Sequence, residues 1–464
     1  MKDRIFVLGI DGATWKIIDE GIEYGILPNF AEIKKFGKTL ELKSTIPPFT
    51  LPSWTSMITG VNPGKHGIFD FTDTNGNILD SRRRAAPTIF QILSNAGITS
   101  ISINIPGTYP PDKIRGCMIA DTLTTPSYES DFVFPSILRE YAIRHFKDSF
   151  DFEFTLAKFF VYKNKKKLIK IANDIVKKEL KINDKLEKMY PDTRLIWQVI
   201  RTTDILQHYL YDDSEENLEL ILRNYKIIDK EIGRLIERFD TLILVSDHGF
   251  TPLKGYIYIN RLLEKYGYFD FSITEKLSYY VLGPLVNMLF QILPEKDAFK
   301  IYSKIRKMLR RNRKIKTNIK AYLYSYTSQG VVVKDKTILS EILERLKRDL
   351  LNLDVIRNIY LKENLFNGEM LDQIPDIIFE PKDGFILSGL YSKRVVDRPY
   401  AFLGLKKADH DTRGIFGVYS GKYHFEIIKD NPNVLDVTPT ILNMLRITKL
   451  ENFDGQNILR RKPE

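Results

Sequence analysis

A single cysteine, Cys117, in 464 residues rules out an intramolecular disulfide and any cysteine-rich zinc site. Uninterrupted apolar runs are equally scarce. The longest, Leu277–Leu293, is broken by Gly283-Pro284 and carries Asn287 and Gln291, whereas a spanning helix needs about 20 mostly apolar residues. It is expected to form a buried or interfacial helical hairpin. Near the start, Ile5-Phe6-Val7-Leu8-Gly9-Ile10 is too short for a signal-peptide core and has no small-residue cleavage site after it. The run reads as a buried strand, and with the near-absence of cysteine it predicts a cytoplasmic location. Neither GxxxxGK[ST] nor GxGxxG occurs, so nucleotide-loop chemistry has no support. There is no internal repeat and no low-complexity tract.

A hydrophobic content of 43% with 12% aromatics is that of a folded globular chain and excludes disorder as a class. The net charge of +11 is unevenly spread, with ten Lys/Arg and no acid from Lys300 to Lys320. Such a run is either a solvated helix face or a contact for an anionic partner: phosphate ester substrates, an anionic membrane surface or nucleic acid, with no specific nucleic acid predicted. Strand-like runs at Arg4–Ile10, Thr99–Ile105, Arg194–Ile200 and Thr241–Ser246 alternate with helical patterns. They predict an α/β fold with a mostly parallel central sheet and helices on both faces. Phe132–Tyr190, Lys-rich and helical in pattern, reads as an insertion. The expected organisation is a catalytic core over residues 1–265, with that insertion at about 132–190. A cap over 266–370 holds the apolar hairpin, the basic segment and a small α+β unit, and a second part of the core spans 371–464. The central sheet is expected to resume near Pro375–Phe379.

Ligands of open parallel sheets lie beyond the carboxyl ends of the strands. Asp11 follows one strand there, and Asp247-His248 another. Thr50 opens Thr50-Leu51-Pro52-Ser53-Trp54, where Pro52 suits the first turn of a helix and a hydroxyl at its N-terminus makes a seat for phosphate. In Thr203-Asp204-Ile205-Leu206-Gln207-His208, Thr203 can cap a helix that puts Asp204 and His208 on one face. A strand-end Asp is by itself an ordinary turn former, and an Asp–His pair four apart an ordinary surface contact. Taken together they say more. Of only six histidines, His208, His248 and His410 sit beside acids, a donor set that suits Zn²⁺ or Mn²⁺. His66, in Pro63-Gly64-Lys65-His66-Gly67, reads as a structural turn residue, and His145 and His424 as surface or core residues.

The ordered set GIDG, TLPSW, TDILQH, SDHGF and a late DHDTRGIF resembles the type I phosphodiesterase/nucleotide pyrophosphatase branch of the alkaline phosphatase superfamily. It is most similar to the cytosolic archaeal and bacterial group of predicted phosphohydrolases or phosphomutases. Thr55–Phe71, Ile319–Val333, Gln373–Phe379 and Asp436–Leu442 extend the likeness over most of the chain. The resemblance implies two divalent metal ions, one held by Asp11, Thr50, Asp247 and His248, the other by Asp204, His208 and His410. Nucleotide pyrophosphatases have an Asn three residues after the nucleophile that holds a phosphate oxygen, and here Ser53 stands in that place as the expected donor. Sulfatases carry a Cys or Ser in a C/S-x-P-S-R motif at the nucleophile, and TLPSW lacks both that precursor and the Arg.

The expected chemistry is hydrolysis of phosphate esters by in-line attack of Thr50, through a phosphothreonine, between two divalent ions. A phosphodiester is the expected substrate, because Phe49, Leu51, Pro52 and Trp54 around Thr50 carry no charge to meet the extra anionic oxygen of a monoester. Alternatives on the same residues are a phosphomonoesterase, a phosphomutase that returns the phosphoryl group to its product, and a catalytically inactive protein that binds an anionic ligand or a membrane surface.

Overall fold

The computed structural model describes residues 3–73, 77–152, 164–277, 319–324, 328–397, 406–447 and 452–462, with single positions between 288 and 301. Its centre is an eight-stranded sheet in the order Lys38–Lys43, Arg413–Tyr419, Thr241–Val245, Ile5–Ile10, Leu195–Ile200, Ser100–Ile103, Gly116–Ile119, Val133–Phe134. The five strands from Thr241–Val245 to Gly116–Ile119 are parallel. Arg413–Tyr419 is antiparallel to both of its neighbours, and Val133–Phe134 closes the far edge antiparallel.

Every residue of Ile5–Ile10, Leu195–Ile200 and Thr241–Val245 is buried, as expected of parallel strands covered on both faces. Their side chains alternate between two cores. Phe6, Leu8 and Ile10 face a layer of helices that includes Trp15–Glu23, Pro28–Phe36, Lys165–Leu180 and Glu215–Arg238. Ile5 and Val7 face helices Thr50–Thr59, Ile89–Asn95 and Val437–Met444. Local signals fix several of these ends. Thr14 caps Trp15–Glu23, and Thr88 with Gln91 forms a capping box on Ile89–Asn95.

A separate four-stranded antiparallel sheet, Ala321–Leu323, Gly330–Val333, Ile377–Pro381, Ile356–Leu361, carries helix Leu339–Asn352. The expected return to the central sheet near Pro375–Phe379 is therefore corrected. Ile377–Pro381 pairs with Gly330–Val333 and Ile356–Leu361, and the chain rejoins the main sheet only at Arg413. An apolar run such as IIF satisfies any buried strand and does not name its partner. The apolar stretch 277–293 and the basic segment 300–320 lie almost wholly outside the described residues. Among the described residues no helix is long and apolar enough to cross a membrane.

Candidate active site

Three adjacent central strands deliver the acids. Ile5–Ile10 ends in Asp11, Leu195–Ile200 leads into helix Thr202–Leu210 with Asp204 and His208, and Thr241–Val245 leads to Asp247 and His248. His410 arrives much later in sequence, on a two-stranded ribbon where it sits opposite Phe250. Helix Thr50–Thr59, all ten residues buried, lies against the first strand. Gly9 permits that approach, since a Cβ there would lie 2.6 Å from Cη2 of Trp54. Thr50, at the first position of this helix, has Oγ1 3.3 Å from Nε2 of His248.

The three imidazoles share one orientation. Nδ1 of His208 is 3.1 Å from the Ala408 carbonyl oxygen, Nδ1 of His248 is 3.2 Å from that of Gly249, and Nδ1 of His410 is 2.9 Å from that of Pro48. A carbonyl only accepts, so each Nδ1 carries hydrogen, and Nε2 of a neutral ring presents a lone pair inward. The Nε2 atoms of His208 and His410 are 3.0 Å apart. His248 and His410 stack with centroids 3.6 Å apart. Phe250 places its ring against His208 and His410 edge-on, at 4.8 and 5.2 Å, and against His248 at 5.7 Å. Gly12, at φ +70°, makes room for that ring, because a Cβ would fall 2.4 Å from Cε2 of Phe250.

The carboxylates face the same point. Oδ1 of Asp204 is 3.2 Å from Nε2 of His410 and 3.5 Å from Nε2 of His208. Nε2 of His248 is 3.2 Å from Oδ2 of Asp247 and 3.6 Å from Oδ1 of Asp11. Among the described residues these three buried oxygens, Oδ1 of Asp11, Oδ1 of Asp204 and Oδ2 of Asp247, receive no hydrogen bond. Burial and then the neighbouring Asp204 charge push Asp11 up to about 6, and burial with Asp11 and Asp204 drives Asp247 well above the usual carboxylate range. Burial opposes charge on His410, yet the close contact with the Asp204 carboxylate and the charges of Asp409 and Asp204 outweigh it and raise its pKa. Burial and then Lys406 lower His208 to about 4. The raised carboxylates mark mutual repulsion that a cation between them would relieve. Unpartnered inward oxygens beside converging lone pairs fit divalent cations, and the donor atoms cluster as Asp11, Asp247 and His248 on one side and Asp204, His248 and His410 on another.

All seven expected ligand residues are thus brought together. Ser53 is placed differently. Thr45 Oγ1 donates to the Pro47 carbonyl oxygen, so the 2.7 Å contact between Ser53 and Thr45 uses the proton of Ser53, while Ser44 contacts Ser53 at 2.8 Å. Ser53 is wholly buried and ties the end of strand Lys38–Lys43 to the Thr50 helix, with no proton left for a phosphate oxygen. Thr203 is no cap either. The helix begins at Thr202, and the Thr203 hydroxyl donates to the Asp11 carbonyl oxygen at 2.6 Å. His66 accepts at Nδ1 from the Ile68 amide and bonds Ser56 through Nε2, a structural turn residue.

Sequence reasoning passed over Arg201, Gln207, Asp409 and Phe250. Arg201 Nε donates to Oδ2 of Asp11 at 3.0 Å, and Gln207 donates to the Gly12 carbonyl oxygen at 2.9 Å. Asp409 pairs with Lys406 at 3.2 Å and stands 3.9 Å from Nδ1 of His208. The signal for Arg201 was its place next to Asp204 at the end of a buried strand, where a solvated charge is out of place.

The family model for type I phosphodiesterase/nucleotide pyrophosphatase matches residues 5–414. Among solved structures, phosphonoacetate hydrolase from Sinorhizobium meliloti 1021, in complex with phosphonoacetate, aligns over 96% of each chain at 15% identity, with a TM-score of 0.57. Murine ectonucleotide pyrophosphatase/phosphodiesterase 5, an inactive form in complex with AMP, aligns over 99% of this chain and 100% of its own at 16% identity, TM-score 0.55. Wild-type alkaline phosphatase PafA aligns over 99% and 98% at 14% identity, TM-score 0.56. At these identities the likeness establishes a common α/β fold. With a family match that spans nearly all of its length, the chain belongs to the type I phosphodiesterase/nucleotide pyrophosphatase family, and it is a hydrolase of phosphoric ester bonds.

Proposed function

We propose that the protein hydrolyses phosphate diesters by in-line attack of Thr50 on phosphorus. The observation that carries this reading is Thr50 Oγ1 at a helix N-terminus, 3.3 Å from Nε2 of His248 and beside the cluster of unpartnered carboxylate oxygens. Enzymes of the alkaline phosphatase superfamily use divalent metals. In our reading Asp11, Thr50, Asp247 and His248 hold one ion and Asp204, His208 and His410 the other, with Zn²⁺ the best fit to the donors and Mn²⁺ the second. Such ions supply positive charge for the Thr50 alkoxide and for the oxygen that leaves.

The residues divide the remaining work. Helix Thr50–Thr59 aims Oγ1 and offers the Thr50 and Leu51 amides to the equatorial oxygens, since Pro52 has no N–H and the Ser53 amide donates to the Phe49 carbonyl oxygen. Attack forms the Oγ1–P bond and breaks the P–O bond to the first alcohol. The proton lost from Thr50 is balanced by the one the departing alkoxide takes up; water then attacks the same phosphorus and breaks the Oγ1–P bond, one of its protons returns to Thr50 and its oxygen stays on the released monoester. Phe49 stacks near Phe71 with centroids 6.1 Å apart, and Leu51 is buried with Ile68 and Leu79, so an apolar wall flanks the nucleophile. Among the described residues, the Arg201 guanidinium beside the cluster is bound to Asp11 and the Lys406 ammonium to Asp409, and neither is turned to a third phosphoryl oxygen. Phosphonoacetate and AMP in the related structures agree with a phosphorus oxyanion at such a site.

Paired aryl mono- and diesters on metal-replete protein test the reading. The diester should have the higher kcat/KM. Thr50→Ala should abolish turnover of both while retaining most of the metal, and Thr50→Ser should keep part of the activity. A tenfold preference for the monoester, or full activity in Thr50→Ala, would overturn it.

A further inference from the structure

We infer that Arg201 is a positioning residue, one guanidinium that turns two metal-binding carboxylates inward. The inference rests on the two-metal reading of the site and assigns within it a residue that no ligand set contains.

The geometry is specific to each oxygen. Asp11 has Oδ2 taken by Arg201 Nε at 3.0 Å and Oδ1 without a hydrogen bond, 3.6 Å from Nε2 of His248. Asp204 repeats the pattern, with Oδ2 4.0 Å from an Arg201 terminal nitrogen and Oδ1 unbonded, 3.2 Å from Nε2 of His410. Arg201 thus hydrogen-bonds the outer oxygen of Asp11 and lies at ion-pair distance from that of Asp204, and the inner oxygen of each acid is the one turned to the imidazoles. These two acids belong to different ions in the proposed division. Arg201 therefore sets the relative aim of both halves of the cage.

Backbone structure enforces the arrangement twice. Ile10 and Ile200 are partners in parallel strands, and the Asp11 amide bonds the Ile200 carbonyl oxygen at 3.0 Å, so Asp11 and Arg201 emerge side by side. Arg201 is also the N-cap of helix Thr202–Leu210, which sets Asp204 three residues ahead on the same side. The charge of Arg201 also acts on Asp121, whose oxygens accept from the Thr108, Leu123 and Thr124 amides and the Thr124 hydroxyl. With its side chain 7% exposed, Arg201 is held among carboxylates and not in water. A planar fork suits this task, whereas an ammonium would satisfy one oxygen at a time.

Arg201 brings positive charge close to cations, so its removal separates two effects of opposite sign. If it acted only through charge, its loss would tighten metal binding. If it aims the carboxylates, its loss weakens binding, by about 10- to 100-fold as for partners of metal ligands elsewhere. The experiment is Zn²⁺ titration against a competing chelator, on the full chain, for wild type, Arg201→Met and Arg201→Lys, with circular dichroism as the check on folding. The expected result is a Kd for Zn²⁺ at least tenfold higher in Arg201→Met, with Arg201→Lys between it and wild type. Equal or tighter binding in Arg201→Met would overturn the inference. Should Arg201→Met fail to fold, Arg201→Lys decides. It keeps the charge and loses the fork, so weaker binding supports the positioning role and unchanged binding overturns it. Wild type that binds no Zn²⁺ would overturn the two-metal reading and this inference with it, whereas normal wild-type binding with unaffected variants would overturn this inference alone.

Discussion

Ser53 shows how a single hydroxyl can look catalytic in the sequence and be structural in the fold. Its one proton goes to Thr45, and it accepts from Ser44, so its loss should register in folding and not in phosphoryl transfer. Ser53→Ala is expected to lower stability by about 1–2 kcal/mol, the cost of leaving a buried hydroxyl without its partner. Urea unfolding should show that loss while kcat/KM for a diester stays within about twofold. A tenfold fall in kcat/KM with unchanged stability would return Ser53 to the substrate. Most of the candidate cluster could be assembled on paper at this scale, because histidine is rare here and the acids stand next to it in short motifs. Arg201 was not, since its meaning depends on Asp11 lying beside it in the sheet, and no spacing along the chain expresses a register between strands.

Helix Lys165–Leu180 docks on strand Leu195–Ile200 through buried polar groups, and one of them should make the junction sensitive to pH. Gln198 donates to the Glu179 carbonyl oxygen at 3.0 Å, and the Glu179 carboxyl, fully buried, accepts from Ser149 at 2.7 Å. Burial pushes that carboxyl up from an ordinary 4.5 to about 8. The native state keeps a proton that the unfolded chain releases near 4.5. Stability from this group is whole below about 4.5, declines as the pH rises, and stops declining above about 8. At about 1.4 kcal/mol per pH unit the loss across that window is several kcal/mol. Urea midpoints measured at pH 5, 6.5 and 8 should fall in wild type and stay nearly level in Glu179→Gln. Parallel pH profiles for the two proteins would refute the assignment. Strands and helices of the central unit were legible from their apolar runs, but the partner of Ile377–Pro381 was not. A continuous apolar run says that a strand is buried and leaves open which sheet buries it.

Across the whole molecule, the cluster draws together segments from the start, the middle and the last quarter of the chain, and its carboxylates repel one another unless a cation joins them. Metal removal should therefore loosen more than the site. A ligand at a hundredfold excess over its Kd contributes about 2.7 kcal/mol to native stability. Calorimetry with and without chelator should show a lower Tm in the chelated protein, restored by Zn²⁺, and an unchanged Tm would count against bound metal as a cross-brace. The strand before Thr50, Lys38–Lys43, has one sheet neighbour, Arg413–Tyr419, and His410 lies just ahead of that neighbour. During vectorial synthesis, Asp11, Thr50, Asp204, His208, Asp247 and His248 all leave the ribosome before either the mooring strand or the last imidazole exists. A nascent chain can fold much of its parallel sheet and still lack the piece that fixes Thr50 in place.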